Sequence, residues 1–191
     1  MGCGKSSVGK RLSELLCCRF MDLDAEIVAR AGRCISDIFA EDGESEFRRI
    51  EKEVLREILD TSSSSVLALG GGAVMTEGSE KMVHEGTMCI YLKASVETLI
   101  EHLSGQTSGR PLLKAGALGE TSGRSLLKAG ASGDNGKEND DANDALRKRI
   151  MDLMSKRAAT YERTAHIIIE TDGKSIDEVA QEIVKRIQKN S

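Results

Sequence analysis

The segment that most restricts the fold stands at the start of the chain, where small residues precede a lysine and two serines. It consists of Gly2, Cys3, Gly4, Lys5, Ser6 and Ser7. Glycines let successive backbone N–H groups turn towards an anion, and the helix predicted to follow adds partial positive charge at its N-terminus. Lys5 would then reach the phosphates of a nucleotide, and the Ser6 hydroxyl would bind Mg²⁺. The pattern predicts the second half of a phosphate-binding loop.

Two other interpretations of this segment stay open from its residues alone. Met1-Gly2 with Ser6 also fits a signal for N-myristoylation, with Cys3 as a second acylation site. Alternatively, the segment is a loose glycine- and serine-rich terminus that binds nothing.

Composition restricts the class of partner. The formal net charge of −4 argues against broad binding to nucleic acid, because such binding depends on neutralised phosphates. No apolar run reaches the length of a membrane span, so we expect no membrane partner. The five cysteines form no Cys-x-x-Cys pair, which favours free thiols in a reducing, cytoplasmic compartment.

Strand-like and helical segments alternate along most of the chain. The predicted strands are 19–24, 65–69, 88–92 and 167–169, and the predicted helices are 8–16, 25–31, 35–39, 43–59, 77–85, 95–103, 141–159 and 175–188. Strands that alternate with helices indicate a parallel sheet covered on both faces. We therefore expect an α/β fold with a doubly wound parallel sheet, in one domain over 1–191.

The stretch 104–141 interrupts this alternation. Within it, the segment from Thr107 to Gly116 returns almost unchanged from Thr121 to Gly130. One extra copy is too few for a repeat architecture, and long stretches without structure in compact domains are usually lids or disordered loops. We expect a duplicated lid insertion that is partly disordered, including 134–141, with Arg110 or Arg124 as its functional arginine.

Two groups of residues follow predicted strands, at the edge where parallel sheets bind ligands. Asp22 and Asp24 suit phosphoryl transfer, with one carboxylate near Mg²⁺ and the other holding the attacking hydroxyl. A strand-end turn with Asp24 as helix N-cap explains them about as well. Gly70, Gly71 and Gly72 fit a place where backbone N–H groups approach a ligand or φ is positive. A loose turn is the alternative.

Two arginines are predicted to point inwards. Arg157 falls within about 20° of Leu146 on a helical wheel, on the apolar side of its helix, and Arg48 lies on the flank of its helix that also carries Leu55. Two inward guanidinium groups could clamp one carboxylate. The alternative is an internal ion pair with Glu51 or Asp24.

Taken in order, these motifs resemble those of the shikimate kinases over nearly the whole chain. The matching stretches are 2–7, 21–24, 37–39, 43–51, 69–74, 110–113 and 156–161. The most specific are Phe47-Arg48-Arg49-Ile50-Glu51 and Gly70-Gly71-Gly72-Ala73-Val74. The resemblance implies transfer of the γ-phosphate of ATP to the 3-hydroxyl of shikimate, on the route to aromatic amino acids, with Mg²⁺ as cofactor.

The resemblance also implies roles for the matching residues. Lys5, Asp24 and Arg110 would be catalytic, residues 2–7 and Arg110 would bind the nucleotide, and Ser6 and Asp22 would hold Mg²⁺, Asp22 through water. Shikimate would contact Asp24, Arg48, Gly70, Gly71, Gly72 and Arg157, with 24–60 as the substrate-binding helical segment. We expect a cytoplasmic monomer, or a plastid protein if the source is eukaryotic.

Three departures from the family pattern leave alternatives open. The family's central first strand is not in the sequence given, and its absence would leave two neighbouring strands unpaired in the middle of the sheet. The lid is duplicated, and His102 stands near the place where relatives often hold an arginine against adenine. A gluconate-type kinase and a kinase-like binding protein without turnover are the rival interpretations.

Overall fold

The computed structural model describes residues 3–61, 64–105 and 136–190, with side chains described except at 103–105, 136–146 and 190. The helices in these ranges are α1 (Lys5–Leu15), α2 (Leu23–Ala31), α3 (Ile35–Glu41), α4 (Gly43–Leu59), α5 (Ser79–Gly86), α6 (Val96–Gly105), α7 (Gly136–Thr164) and α8 (Ile176–Asn190). The strands are β1 (Arg19–Asp22), β2 (Ser65–Ala68), β3 (Ile90–Lys93) and β4 (Ile167–Glu170), and one turn of 3-10 helix, Ala73–Met75, follows β2.

The strands form two parallel pairs. In the first pair β1 runs beside β2 with Arg19 opposite Ser65, and in the second β3 runs beside β4 with Ile90 opposite Ile167. Within the described ranges, no ladder joins one pair to the other. The parallel α/β architecture agrees with the predicted fold class.

Helices α1 and α8 cover a common face of both strand pairs. β4 alternates buried and exposed side chains, so it presents one apolar face to these helices. The buried residues of this first cluster are Val8, Leu12, Ile167, Ile169, Val179 and Ile183, and Val66 of β2 with Ile90 and Leu92 of β3 pack against it. Burial of these side chains therefore holds the two pairs together where backbone pairing does not.

A second cluster lies among the helices that follow β1 and β2. Its buried members are Leu23, Ile27, Ile38, Phe47, Val54, Leu55, Ala73, Val74 and Val83. Aliphatic side chains dominate both clusters, as a chain without tryptophan requires. The second cluster fixes α2 and α4 beside the turn that follows β2.

Several predicted boundaries differ from the structure, and two of them matter to the interpretation of the chain. The strand predicted over 19–24 ends at Asp22, because α2 already begins at Leu23. Helix α7 begins at Gly136, so the disorder predicted for 134–141 does not hold from 136 onwards. A helix extends at the gain of one hydrogen bond per residue once its costly first turn exists. Arg110, Arg124 and most of the predicted lid lie outside the described residues.

No helix in the described part of the chain is long and apolar enough to cross a membrane.

Candidate active site

The predicted phosphate-binding loop leads directly into α1. Gly4 is the N-cap of this helix, with a positive φ of 75° that glycine adopts without strain. The N–H of Val8 donates to the Gly4 carbonyl at 2.9 Å. Lys5 and Ser6 therefore stand in the first turn, where N–H groups have no partner within the helix and favour an anion.

The other residues of the predicted loop have different surroundings. Cys3 packs against an apolar cluster between α6 and α7 that contains buried Leu99 and Ile150. Ser7 is exposed. Gly2 lies outside the described residues. The structure thus describes the loop from residue 3 onwards.

Ser6 and Asp22 bring the start of α1 to the end of β1. The Ser6 hydroxyl donates to Oδ2 of Asp22 at 3.0 Å, while Oδ1 of Asp22 accepts from the Asp24 N–H at 3.1 Å and caps α2. The N-cap proposed for Asp24 therefore falls on Asp22. A hydroxyl beside a carboxylate supplies the hard oxygen ligands that Mg²⁺ prefers, with phosphate oxygens and water completing its shell. These two residues fit a Mg²⁺ site.

The three glycines after β2 each lie against a different polar side chain. A Cβ atom built on Gly70 would lie 3.1 Å from Oδ1 of Asp24, and one on Gly72 would lie 2.5 Å from Nη2 of Arg48. A Cβ atom on Gly71 would lie 3.6 Å from Nη1 of Arg157. None of the three has a positive φ. Close approach of side chains, and not backbone strain, therefore accounts for the glycine run.

These contacts bring the predicted substrate residues together. Asp24 of α2, Arg48 of α4 and Arg157 of α7 converge on one three-residue turn, although their helices are far apart in sequence. Asp24 also follows Asp22, the partner of Ser6. A continuous line of contacts thus runs from the phosphate-binding loop to the glycine turn. Such a site can hold an organic acid beside a phosphate group.

Arg48 also forms the internal ion pair that the sequence left open. Its Nη1 donates to Oε2 of Glu51 at 2.5 Å, and the two side chains are 15% and 4% exposed. Burial raises the pKa of Glu51, and the charge of Arg48 opposes that rise. Glu51 lies one helical turn from Arg48, a spacing that brings side chains together. Glu51 thus orients Arg48 towards the turn.

Tyr161 is a member of the site that the sequence analysis missed as a functional residue. Its hydroxyl donates to the Gly71 carbonyl at 2.5 Å. It stands one helical turn after Arg157, which is half-buried as the wheel of α7 predicted. The signals in the sequence were this four-residue spacing, which places both side chains on one face of α7, and the position of Tyr161 within the matching stretch 156–161.

Comparisons with known proteins point to one enzyme family. The family model for shikimate kinase matches residues 1–188. A shikimate kinase of Dictyoglomus turgidum is 37% identical over 190 residues, which cover 98% of this chain and 93% of that protein. One of Thermus thermophilus is 36% identical over 191 residues, or 100% of this chain and 88% of that protein.

A solved structure agrees in fold as well. The shikimate kinase from Acinetobacter baumannii in complex with shikimate superimposes with a TM-score of 0.76 at 29% identity. The match covers 100% of this chain and 90% of that one.

Proposed function

The chain belongs to the shikimate kinase family, and from this membership we propose how its residues transfer the γ-phosphate of ATP to shikimate. The observation that carries the proposal is the convergence of Asp24, Arg48 and Arg157 on the glycine turn. The Ser6–Asp22 contact joins this acceptor side to the loop that receives the nucleotide.

On the nucleotide side, the start of α1 binds the phosphates. N–H groups of the first turn point at the anion, and the Lys5 ammonium balances charge that develops on the transferred group. Ser6 and Asp22 would hold Mg²⁺, the latter through water, and the ion would supply positive charge that screens the phosphates. Arg110, whose neighbour Pro111 matches the family pattern, supplies a further charge from the lid.

On the acceptor side, Arg48 and Arg157 hold the carboxylate of shikimate, and the Gly71 backbone contacts its ring substituents. The Asp24 carboxylate accepts a hydrogen bond from the 3-hydroxyl. This hydroxyl oxygen forms a bond to the γ-phosphorus as the bond from that phosphorus to the bridging oxygen of ADP breaks. The hydroxyl proton passes to Asp24. Most of the catalysis comes from positioning and charge.

A choice of acceptors tests the proposal. ADP release is measured with purified full chain, ATP and Mg²⁺, in the presence of either shikimate or gluconate. We expect release with shikimate and only background with gluconate, because two arginines and a glycine turn suit a compact ring acid. Turnover of gluconate would overturn the assignment of the acceptor. Binding of shikimate without ADP release would favour a binding protein without turnover.

The oligomeric state and the cellular compartment of the enzyme are also part of the proposal. We propose a monomer that works in the cytoplasm, and the free state of all five cysteines supports a reducing compartment. A sedimentation measurement on the purified chain checks its oligomeric state.

A further inference from the structure

Tyr161 has no part in the mechanism described above, yet it contacts the backbone of the site directly. Its hydroxyl and the Gly71 carbonyl lie 2.5 Å apart and belong to residues 90 positions apart in sequence. Hydrogen bonds between side chains and backbone this distant in sequence fix one element against another. Here the bond fixes α7 against the turn after β2.

The peptide that Tyr161 contacts has a glycine on each side. It joins Gly71 to Gly72, and glycine has the widest range of backbone conformations. The carbonyl of Gly71 and the N–H of Gly72 share one planar peptide and point in opposite directions. Fixing the carbonyl therefore also fixes the direction in which the Gly72 N–H donates.

The hydroxyl of Tyr161 is itself held firmly. Its ring packs against the second apolar cluster, and the ring of Tyr91 lies with its centroid 5.3 Å away. An aromatic side chain has few rotatable bonds, so a packed ring places its hydroxyl at little entropic cost. The contact can therefore hold the turn in one conformation before substrate arrives.

Tyr161 and Arg157 approach the same glycine from one helix. A Cβ atom on Gly71 would lie 3.3 Å from the Tyr161 hydroxyl and 3.6 Å from Nη1 of Arg157. One face of α7 thus carries both the guanidinium group proposed for the substrate carboxylate and the bond that holds the turn. Movement of α7 relative to the turn would disturb both.

We propose that Tyr161 is a positioning residue for the binding of shikimate. It holds the Gly71–Gly72 peptide in a fixed position relative to the face of α7 that carries Arg157. This inference rests on the proposed function of the glycine turn. Tyr161 acts through Gly71 and does not touch the reacting atoms. Its loss should therefore weaken the binding of shikimate and leave the chemical step largely unchanged.

The test compares two tyrosine variants. Tyr161→Phe removes only the hydroxyl, and we expect the KM for shikimate to rise about fivefold to tenfold, the size of one lost hydrogen bond. We expect kcat and the KM for ATP to change by less than about twofold. Tyr91→Phe is the matched control, because the Tyr91 hydroxyl is buried without a hydrogen-bond partner among the described residues. It should leave all three constants unchanged.

A second measurement does not depend on the Tyr161→Phe variant being stable. The chain has two tyrosines and no tryptophan, so Tyr161 is the only tyrosine left in Tyr91→Phe. We expect its emission to change on titration with shikimate alone and to saturate near the KM. Emission that stays constant while shikimate is turned over would overturn the inference.

The outcomes separate this inference from the function on which it rests. An unchanged KM in Tyr161→Phe, with a lower melting temperature, would show a purely structural role and overturn the inference alone. A fall in kcat at constant KM would place Tyr161 in the chemical step and also overturn it. If Arg157→Ala too leaves the KM for shikimate unchanged, the proposed substrate site itself fails.

Discussion

Arg48 and Arg157 approach the same turn, but they are unequal as probes of substrate binding. Arg48 is paired with Glu51, whose side chain is only 4% exposed. Removing one partner of a buried ion pair leaves the other charge uncompensated and destabilises the fold. A change at Arg48 would therefore confuse binding with stability. We therefore choose Arg157, which is half-buried, as the probe of substrate binding.

The two sides of the site predict different kinetic effects. Lys5→Ala should lower kcat about 10²–10³-fold, because the charge it supplies matters most in the transition state. Arg157→Ala should instead raise the KM for shikimate, by about 2–5 kcal/mol of lost binding. Steady-state kinetics with each substrate varied in turn measures both. Arg49→Ala is the control, because the Arg49 side chain, next to Arg48 in α4, is 55% exposed. Its kcat and KM should equal those of the parent chain. Equal and negligible effects of the first two changes would contradict the assignment.

The close contact of Gly72 with Arg48 predicts that one added methyl group can displace this arginine, which we propose binds the substrate. The added Cβ atom in Gly72→Ala would lie within 3 Å of the Arg48 guanidinium, and this flexible end must move away. We expect a folded protein with a KM for shikimate raised about tenfold or more. Gly86→Ala is the control, since its Cβ atom would make ordinary contact with Leu59 at 3.6 Å. An unchanged KM for shikimate in Gly72→Ala would show that substrate binding does not require the Arg48 guanidinium to lie beside Gly72.

Among the elements, the junction of β1 and α2 matters most to the site. Because the strand ends at Asp22, this carboxylate caps α2 and meets Ser6, while Asp24 turns within the first helical turn towards Gly70. An unbroken strand would have pointed both carboxylates to the same side. The early end of the strand thus separates the carboxylate that we propose for the nucleotide side from the one that we propose for the acceptor side.

A contact between the loop after β4 and the start of α6 predicts a pH dependence. Asp172 accepts hydrogen bonds from the Ser95 N–H at 3.0 and 3.1 Å, and the pKa of Asp172 is lowered, chiefly by this backbone bond. A lowered pKa means stability that is present above the ordinary pKa of aspartate and is lost as pH falls through the lowered value.

Asp172→Asn should therefore be less stable than the parent chain at neutral pH, and the difference should shrink between about pH 5 and pH 2. Denaturant titrations at several pH values measure it. Asp152→Asn, at an exposed aspartate of α7, is the control. A difference that persists at the lowest pH would mean that the contact is not ionic in origin.

Residue patterns predicted the elements better than the contacts between them. Apolar periodicity placed α4 and α8 to within a few residues, and the wheel of α7 turned Arg157 inwards. The contact of Tyr161 with Gly71 joins residues 90 positions apart, and no local pattern reports such a pairing. The sequence also could not decide whether Arg48 clamps a substrate carboxylate or forms an internal ion pair. In the folded chain Arg48 pairs with Glu51 and lies against Gly72 at the same time.

On the scale of the molecule, side-chain packing joins two strand pairs that share no backbone ladder in the described ranges. Both pairs rest on the first apolar cluster, to which α8 contributes Val179 and Ile183. In an unbroken sheet, hydrogen bonds between central strands would share this task. Here this layer of aliphatic contacts joins the two pairs, together with contacts such as the Tyr161–Gly71 hydrogen bond from α7.

Because both strand pairs rest on this layer, a substitution on α8 should lower the free energy of unfolding and also weaken the coupling between the pairs. Ile183, which is 1% exposed, contacts the layer common to both pairs, so Ile183→Ala should lower the free energy of unfolding by about 2–5 kcal/mol. It should also separate the unfolding transitions seen by far-UV circular dichroism and by tyrosine emission. Ile176→Ala, at a residue 48% exposed on the same helix, should have little effect. Coincident transitions in Ile183→Ala would show that the two pairs are coupled in another way.

The glycine turn also bears on the order in which the enzyme acquires competence. Its three polar neighbours come from residues 24, 48 and 157, and contacts between segments so distant along the chain form late in folding. The loop before α1 also depends on a distant segment, because Cys3 packs against the cluster of Leu99 and Ile150. A refolding chain should consequently regain binding of the nucleotide and of the acid that receives the phosphate at the same stage.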